Sequence, residues 1–178
     1  MRLKGFVTIK DKDFYSWDYI EHLRKEDAKK RNPYKIIAQR GGQENMLSQS
    51  ADIIFGGGSR GGSKSFSLLL EALKDYQNKD FRATIFRREI DDLSDLIDTS
   101  HSVYGDFGTY NRSKADMTWN FYSGASLKFN YYSDNYEEFK VRMQGKQYAF
   151  IGIDEITHIE YQKFKYLITN NRNAFGIH

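Results

Sequence analysis

The N-terminal part of the chain shows a helical period of hydrophobic positions. Between Asp13 and Arg31, apolar side chains recur at roughly helical spacing among charged residues, at Phe14, Trp17, Ile20 and Leu23. This spacing predicts an amphipathic helix. The one proline, Pro33, follows the segment, and proline is a residue that ends helices. We therefore predict an N-terminal helical segment over residues 1–35 and a larger domain over residues 36–178.

Downstream, short apolar runs of strand length alternate with helical periods. Ala51–Phe55 is an apolar run typical of a buried strand, and a glycine-rich loop separates it from Phe66–Asp75. The pattern of Phe66–Asp75 predicts a helix whose inward side chains are Leu68, Leu69, Ala72 and Leu73. A second strand is predicted at Arg82–Arg88, followed by a helix over "EIDDLSDLI", Glu89–Ile97. This order of elements is typical of mixed α/β proteins.

The C-terminal half adds a hairpin, a strand and a helix. The run "MTWNFYSGASLKFNYY" alternates around Ser123 and Gly124, which predicts a β-hairpin. Gln147–Glu155, "QYAFIGIDE", is a short apolar run that ends on two carboxylates, and Tyr161–Asn170 predicts a final helix. The sequence shows no repeat of fixed period and no low-complexity tract, so we predict one mixed α/β fold.

Composition narrows the class of protein. The chain has 178 residues, of which 39% are hydrophobic, which is enough to build one globular core, and it has no apolar run long enough to cross a membrane. Because there is no cysteine and the four histidines are scattered, disulfides and thiolate metal sites are excluded and a zinc site is disfavoured. The absence of cysteine favours a cytosolic setting, and the N-terminus, which has no apolar core of signal-peptide length, shows no export signal. A net charge of +3 is compatible with a basic patch but does not establish nucleic-acid binding.

The glycine-rich loop matches a phosphate-binding pattern at all but one position. Gly58–Ser65 fits the P-loop (Walker A) pattern G-x-x-x-x-G-K-S/T, except that Ser63 stands where the last glycine belongs. Glycines let successive main-chain N–H groups point into one concavity, where they and the N-terminus of the next helix hold phosphate oxygens. In this pattern Lys64 contacts the β- and γ-phosphates, and the Ser65 hydroxyl is a ligand of Mg²⁺. The alternative is a flexible Gly/Ser turn between a strand and a helix.

The two carboxylates that end the run Gln147–Glu155 complete a nucleotide-hydrolysing pattern, the Walker B region. Asp154 would hold Mg²⁺ through water, and Glu155 would polarise the water that attacks the γ-phosphorus. Strands often end in acidic residues because loops are solvated, so the pair by itself is weak support. In the same chain and order as the phosphate-binding loop, it favours a nucleoside triphosphatase.

Four features between about Gly41 and Asn173 belong together: "GGQENMLSQSADIIFGGGSRGGSKS", "TIFRRE", the hairpin around Ser123-Gly124 and "MQGKQYAFIGIDEITHI". Together they resemble the ATPase domain of tailed-phage terminase large subunits, the motors of DNA packaging. Members of that family also accept a residue other than glycine before the Walker A lysine. The resemblance implies an α/β P-loop NTPase fold of the additional-strand, catalytic-glutamate class. Such a fold has a mostly parallel sheet with helices on both faces, here with an inserted β-hairpin.

The resemblance also implies a set of site residues for ATP and Mg²⁺. Gln43 stands where the family contacts adenine, and Arg60 would touch the γ-phosphate or act as a sensor. Arg142 is our candidate for the arginine that one subunit of a ring supplies to its neighbour. The expected catalytic residues are Glu155, Lys64, Arg60 and Arg142; the nucleotide-binding residues are Gln43, Gly58, Ser59, Arg60, Gly61, Gly62, Ser63, Lys64 and Ser65; the metal-binding residues are Ser65 and Asp154.

By resemblance, the partners are double-stranded DNA, a portal protein, a small terminase subunit and further copies of the chain in a ring. The expected location is the host cytoplasm, at the procapsid portal. Arg87 and Arg88, which end the strand of "IFRRE", are expected to be structural or to face DNA. His158 is expected to be a packing or polar-contact residue rather than a metal ligand. The aromatic residues of the hairpin are expected to pack in the core rather than to stack on bases.

One departure from the family affects the expected activity. Proteins of this class carry a further strand after the Walker B region, inserted between the P-loop strand and the Walker B strand, and terminases carry a nuclease domain. The chain stops at "NAFGIH", so we expect a truncated sheet that binds ATP but hydrolyses it weakly by itself. A helicase-like ATPase and a nucleotide-binding module without turnover remain as alternatives.

Overall fold

The computed structural model describes residues 6–9, 12–15, 38–39, 41–49, 51–57, 64–113 and 116–172. The chain divides into two compact units, Met1–Lys74 and Asp75–His178. The predicted domain boundary after residue 35 falls in a part of the chain outside the described residues, so it stays a prediction. No described helix is long and apolar enough to cross a membrane.

The first unit begins with two short paired strands. β1, Phe6–Ile9, pairs antiparallel with β2, Lys12–Tyr15, and the register joins Phe6 to Tyr15 and Ile9 to Lys12. The helix predicted from Asp13 is therefore wrong over Asp13–Tyr15. Pairing between neighbouring segments satisfies the main-chain groups that a helix would otherwise satisfy, and it overrides the weak helical period. The rest of the predicted helix lies outside the described residues.

Two helices follow in the first unit. α1, Gly42–Leu47, packs against α2, Lys64–Glu71. The helix predicted at Phe66–Asp75 is confirmed as far as Glu71, after which the chain continues in turns. Three of the four side chains predicted to face inward are buried and the fourth, Leu68, is half-buried; the buried ones are Leu69, Ala72 and Leu73.

The strand predicted at Ala51–Phe55 does not form in the described structure. The segment is irregular, and the side chains of Ile53 and Phe55 are 54% and 68% exposed. Apolar composition predicts burial, but a strand also needs a hydrogen-bonded neighbour. Ala51–Phe55 belongs to neither of the sheets found among the described residues, so the prediction of a buried strand is wrong there.

The second unit is built on a five-stranded sheet. Its elements in chain order are β3, Arg82–Arg87; α3, Leu93–Tyr104; β4, Gly108–Asn111; β5, Thr118–Phe121; β6, Ser126–Tyr131; α4, Tyr136–Met143; β7, Phe150–Ile153; a 3₁₀ helix, Ile156–His158; and α5, Tyr161–Asn170. The strands are ordered β4-β5-β6-β3-β7. β3 pairs in parallel with both β6 and β7, whereas β5 is antiparallel to β4 and β6.

Most predictions for this unit are confirmed. The strand at Arg82–Arg88, the hairpin around Ser123-Gly124, the strand within Gln147–Glu155 and the helix Tyr161–Asn170 all form. The helix predicted at Glu89–Ile97 forms later, from Leu93, and continues to Tyr104. Four of the five strands point the same way, since only β5 runs against its neighbours. A mostly parallel sheet is thus confirmed.

Helices cover both faces of this sheet. On one face, α3 packs on β6, and the indole N–H of Trp119 donates to the Ser100 hydroxyl oxygen at 2.8 Å. Trp119 also makes edge contacts with the Tyr104 and His101 rings, and most of the hairpin aromatics are buried as predicted, whereas Tyr122 is 74% exposed. On the other face, α4 and α5 enclose a second cluster, made of Phe86, Tyr132, Phe139, Met143 and Leu167. Side-chain alternation along β3 supplies both faces, with Ile85 on the first and Phe86 on the second.

Candidate functional site at the carboxyl edge of the sheet

The carboxyl ends of β3, β6 and β7 meet at one edge of the sheet because these strands are parallel. The register pairs Phe86 of β3 with Ile153 of β7, so the next residues, Arg87 and Asp154, are neighbours. The main-chain N–H of Asp154 donates to the Phe86 carbonyl oxygen at 2.9 Å, which extends the ladder by one step beyond β7. The first carboxylate of the predicted hydrolytic pair is therefore placed by sheet pairing, on a rigid element.

Asp154 is held by an arginine. Its carboxylate is buried, and its Oδ2 accepts from Nε and from Nη2 of Arg87, each at 2.9 Å. Nη1 of the same guanidinium donates to the Asp92 carbonyl oxygen at 2.5 Å. These contacts support the structural rather than the DNA-facing alternative for Arg87. The side chain of its neighbour Arg88 is exposed, and its Nε lies 3.4 Å from Oε1 of Glu89.

Glu155 has an unusual backbone. Its φ of 57° and ψ of 44° lie in the left-handed region, and it is the only residue other than glycine with positive φ in the described part of the chain. Its side chain is 52% exposed, and one carboxylate oxygen lies 3.7 Å from Nδ1 of His158. Left-handed backbone is unfavourable for a residue with a side chain and recurs at functional sites. The outlier therefore marks Glu155 as a functional candidate independently of the sequence motif.

Tyr132, the first residue after β6, contacts the ends of its neighbours at this edge. Its hydroxyl donates to the Glu155 carbonyl oxygen at 3.1 Å, and its main-chain N–H donates to the carbonyl oxygens of Arg87 and Arg88 at 3.1 and 3.2 Å. Its own carbonyl accepts from Nζ of Lys163 at 3.1 Å. Burial of the phenol, with the negative charge of Glu155, raises the pKa of Tyr132 to about 12, so the hydroxyl carries its proton at neutral pH.

Sequence reasoning missed Tyr132 and Lys163. A signal for Tyr132 existed, because it follows a strand parallel to the two that end at Arg87 and Asp154, and parallel strands end at a common edge. Lys163 gave no such signal. In sequence it reads as one more charge in an amphipathic helix, whereas its side chain is only 3% exposed and contacts Glu160 at 2.8 Å as well as Tyr132.

The predicted phosphate-binding residues belong to the first unit. Gly58, Ser59, Arg60, Gly61, Gly62 and Ser63 lie outside the described residues. Lys64 and Ser65 form the first turn of α2, and both are half-buried. A lysine and a hydroxyl at the first turn of a helix accord with the P-loop pattern. The roles predicted for these residues stay predictions.

Gln43 is buried rather than solvated. It lies in α1 with 2% of its surface exposed, and its Oε1 accepts from the main-chain N–H of Gln39 at 2.7 Å. A glutamine in a polar loop is ordinarily solvated. The contact fixes the orientation of the side-chain amide. A side chain that recognises a base by hydrogen bonds needs such a fixed orientation. Its adenine-binding role stays a prediction.

Arg142 makes a dense set of contacts within its own unit. Its guanidinium pairs with Asp134 at 2.8 and 2.9 Å, donates to the Tyr131 carbonyl oxygen at 2.6 Å, and lies 4.1 Å from the centre of the Tyr131 ring. A longer contact, 3.3 Å, joins it to Oδ1 of Asn130. These contacts favour a structural role for Arg142. The predicted role, in which Arg142 acts on the site of a neighbouring subunit, stays a prediction.

The sheet edge offers one buried carboxylate, that of Asp154, as a candidate metal ligand. Within the described ranges, no group of three or more His, Asp or Glu side chains could hold a metal ion. Mg²⁺ commonly takes one or two protein carboxylates and completes its shell with phosphate oxygens and water. Asp154, a buried carboxylate fixed by Arg87, suits that arrangement.

Comparison with known proteins identifies the family. A model described as "Terminase large subunit, T4likevirus-type, N-terminal" matches residues 54–174. A search of curated proteins found no significant match, and neither did a search of solved structures. The matched region spans well over half of the chain and contains Lys64, Ser65, Asp154 and Glu155. The chain therefore belongs to the family of phage terminase large subunits of the T4-like type and contains their N-terminal domain.

Proposed function

We propose that this chain is the ATPase of a viral DNA-packaging terminase, which couples ATP hydrolysis to movement of double-stranded DNA into a procapsid. Membership of the terminase family supports a role in DNA packaging. The observation that carries the ATPase proposal is the pair at the end of β7. A buried carboxylate, Asp154, is followed by an exposed carboxylate, Glu155, on left-handed backbone.

Nucleotide binding is proposed for the loop and the helix that follows it. Main-chain N–H groups of Gly58–Ser63 and the N-terminus of α2 would hold the phosphates, with Lys64 on the β- and γ-phosphates. Gln43 would read the adenine. This assignment is supported by the P-loop pattern, by the position of Lys64 in the first turn of α2 and by the fixed orientation of the Gln43 amide.

Hydrolysis is proposed to proceed by in-line attack of water on the γ-phosphorus. The bond between the γ-phosphorus and the bridging oxygen breaks, and ADP and inorganic phosphate are released. Glu155, whose carboxylate is exposed, would orient the water and accept its proton, while Ser65 and Asp154 would hold Mg²⁺. When bound, Mg²⁺ neutralises charge on the phosphate oxygens.

Arginine would complete the charge balance in the transition state. Arg60, within the loop, is the proposed γ-phosphate contact or sensor. Arg142 is retained as the candidate that acts across a ring of subunits, although its contacts with Asp134 favour a structural role. The ring itself, the portal protein, the small terminase subunit and the host cytoplasm as location belong to the same proposal.

Equilibrium binding of ATP with and without Mg²⁺ tests the nucleotide site. We expect Lys64→Met to weaken binding by about tenfold or more, because a charge-assisted contact to phosphate is lost. Lys79→Met, which removes an exposed lysine of the second unit, is the matched control and is expected to bind like the wild type. Absence of ATP binding by the wild type, or equal binding by both variants, would overturn the proposal.

A further inference from the structure

We infer that Tyr132 and Lys163 are positioning residues, which hold the backbone of Glu155 in its left-handed conformation and thereby set the direction of its carboxylate. The inference rests on the proposed function of Glu155 as the residue that orients the attacking water. It goes beyond that function because it assigns the control of Glu155 to β6 and α5.

The first step is that left-handed backbone at Glu155 needs an external restraint. For a residue with a side chain this conformation is unfavourable, so it persists where surrounding contacts enforce it. The Glu155 carbonyl oxygen accepts from the Tyr132 hydroxyl at 3.1 Å and from the main-chain N–H of His158 at 3.0 Å. The second contact is local to the 3₁₀ turn, whereas the Tyr132 hydroxyl ties the turn to the end of β6.

The second step is that Tyr132 is itself immobile. The residue is 2% exposed and belongs to the cluster with Phe86, Phe139, Met143 and Leu167. Its main-chain N–H is tied to the end of β3 through Arg87 and Arg88. A rigid, packed phenol places its hydroxyl at a fixed point, and the carbonyl of Glu155 is held there.

The third step concerns Lys163, which buries an ammonium group beside Tyr132. Burial of a charge is unfavourable, and an apolar side chain of similar length would usually pack as well. The Lys163 ammonium contacts the Tyr132 carbonyl oxygen at 3.1 Å and the carboxylate of Glu160, whose side chain is 62% exposed. Lys163 therefore ties α5 to the main chain of Tyr132, the residue whose hydroxyl holds Glu155, and adds a further restraint on Tyr132.

Hydrogen exchange at the 3₁₀ turn tests the restraint without requiring turnover. In Tyr132→Phe, which removes only the hydroxyl, we expect the amides of His158 and Ile159 to exchange about three- to tenfold faster than in the wild type. Tyr131→Phe is the matched control, because the Tyr131 hydroxyl has no hydrogen-bond partner among the residues that the structure describes. Unchanged exchange in Tyr132→Phe would overturn the inference whatever the ATPase assay shows.

A second variant pair tests the link to α5. Lys163→Met keeps the aliphatic stem and removes the ammonium, and we expect faster exchange at the same two amides. Lys165→Met, on the exposed side of α5, is expected to match the wild type. Faster exchange spread over the whole second unit would instead show general destabilisation and would overturn the assignment of Lys163 as a positioning residue.

Kinetics under conditions of wild-type turnover complete the test. We expect Tyr132→Phe to lower kcat about tenfold with KM for ATP unchanged, because the carboxylate is misdirected while the phosphate site is intact. If Glu155→Gln abolishes turnover but Tyr132→Phe retains the wild-type kcat, the inference fails and the proposed function stands. If Glu155→Gln retains the wild-type turnover, the proposed function fails. The hydrogen-exchange result then decides by itself whether Tyr132 restrains the backbone of Glu155.

Discussion

Glu155 combines an unfavourable backbone with an exposed side chain, and the proposed function accounts for both properties. The left-handed conformation turns the chain sharply after β7, and the carboxylate then points to solvent beside His158 rather than into the core. Asp154, one residue earlier, is buried and held by Arg87. The two neighbouring carboxylates thereby differ, one fixed and one accessible, which suits the metal-binding and water-activating roles proposed for them.

Replacement of Glu155 tests the backbone strain. Glu155→Ala and Glu155→Gly both remove the carboxylate, but only glycine relieves the left-handed conformation. We expect the glycine variant to have a free energy of unfolding about 1 kcal/mol higher than the alanine variant, measured by chemical denaturation. A glycine variant less stable than the alanine variant would show that Glu155 is not strained in solution.

Substitution of Arg87, with Arg88 as the control, tests how much the stability of the protein depends on the pairing of Arg87 with the buried Asp154 carboxylate. Arg87→Met deprives the buried carboxylate of Asp154 of the guanidinium, and we expect the free energy of unfolding to fall by about 3 kcal/mol. Arg88→Met removes a pair whose side chains are 56% and 48% exposed, and little change is expected. Equal effects of the two substitutions would contradict the assignment of Arg87 to Asp154.

At the scale of elements, the sequence predicted the strands that form the sheet edge but did not predict the side chains that pack around that edge. Periodicity predicted the strands at Arg82–Arg88 and Gln147–Glu155, and their parallel pairing then places Arg87 beside Asp154. Periodicity failed at Asp13–Tyr15 and Ala51–Phe55, because strand formation depends on a hydrogen-bonded partner that a local pattern does not contain. The same limit applies to Lys163, whose burial follows from how α5 packs.

Arg142 provides a test at the junction of α4 with β6. If its contacts with Asp134 and Tyr131 are structural, Arg142→Gln will lower the free energy of unfolding by about 2 kcal/mol in dilute protein, independently of protein concentration. Lys140→Gln, an exposed change on the same helix, is the control. Unchanged stability together with a loss of turnover at high protein concentration would instead favour the role across subunits.

At the scale of the whole molecule, the site residues divide between the two units. The motif predicted Lys64 and Ser65 in the first unit and Asp154 and Glu155 in the second, because motifs report the chemistry that a loop or strand end can do. Motifs do not report which side chains hold those groups in place. Tyr132, Arg87 and Lys163 act through packing and register, and these depend on the folded chain.

The claim that Glu155 catalyses ATP hydrolysis by this chain can be tested by a hydrolysis assay with Mg²⁺. Turnover is measured for the wild type and for Glu155→Gln, over a range of protein concentrations, with and without double-stranded DNA. We expect weak turnover in dilute protein that rises more than linearly with concentration, increases with DNA, and is abolished in Glu155→Gln, while ATP binding is retained. Glu137→Gln, an exposed change in α4, is the control. Equal turnover in the wild type and Glu155→Gln would contradict the claim, and so would ATP binding without turnover under every condition.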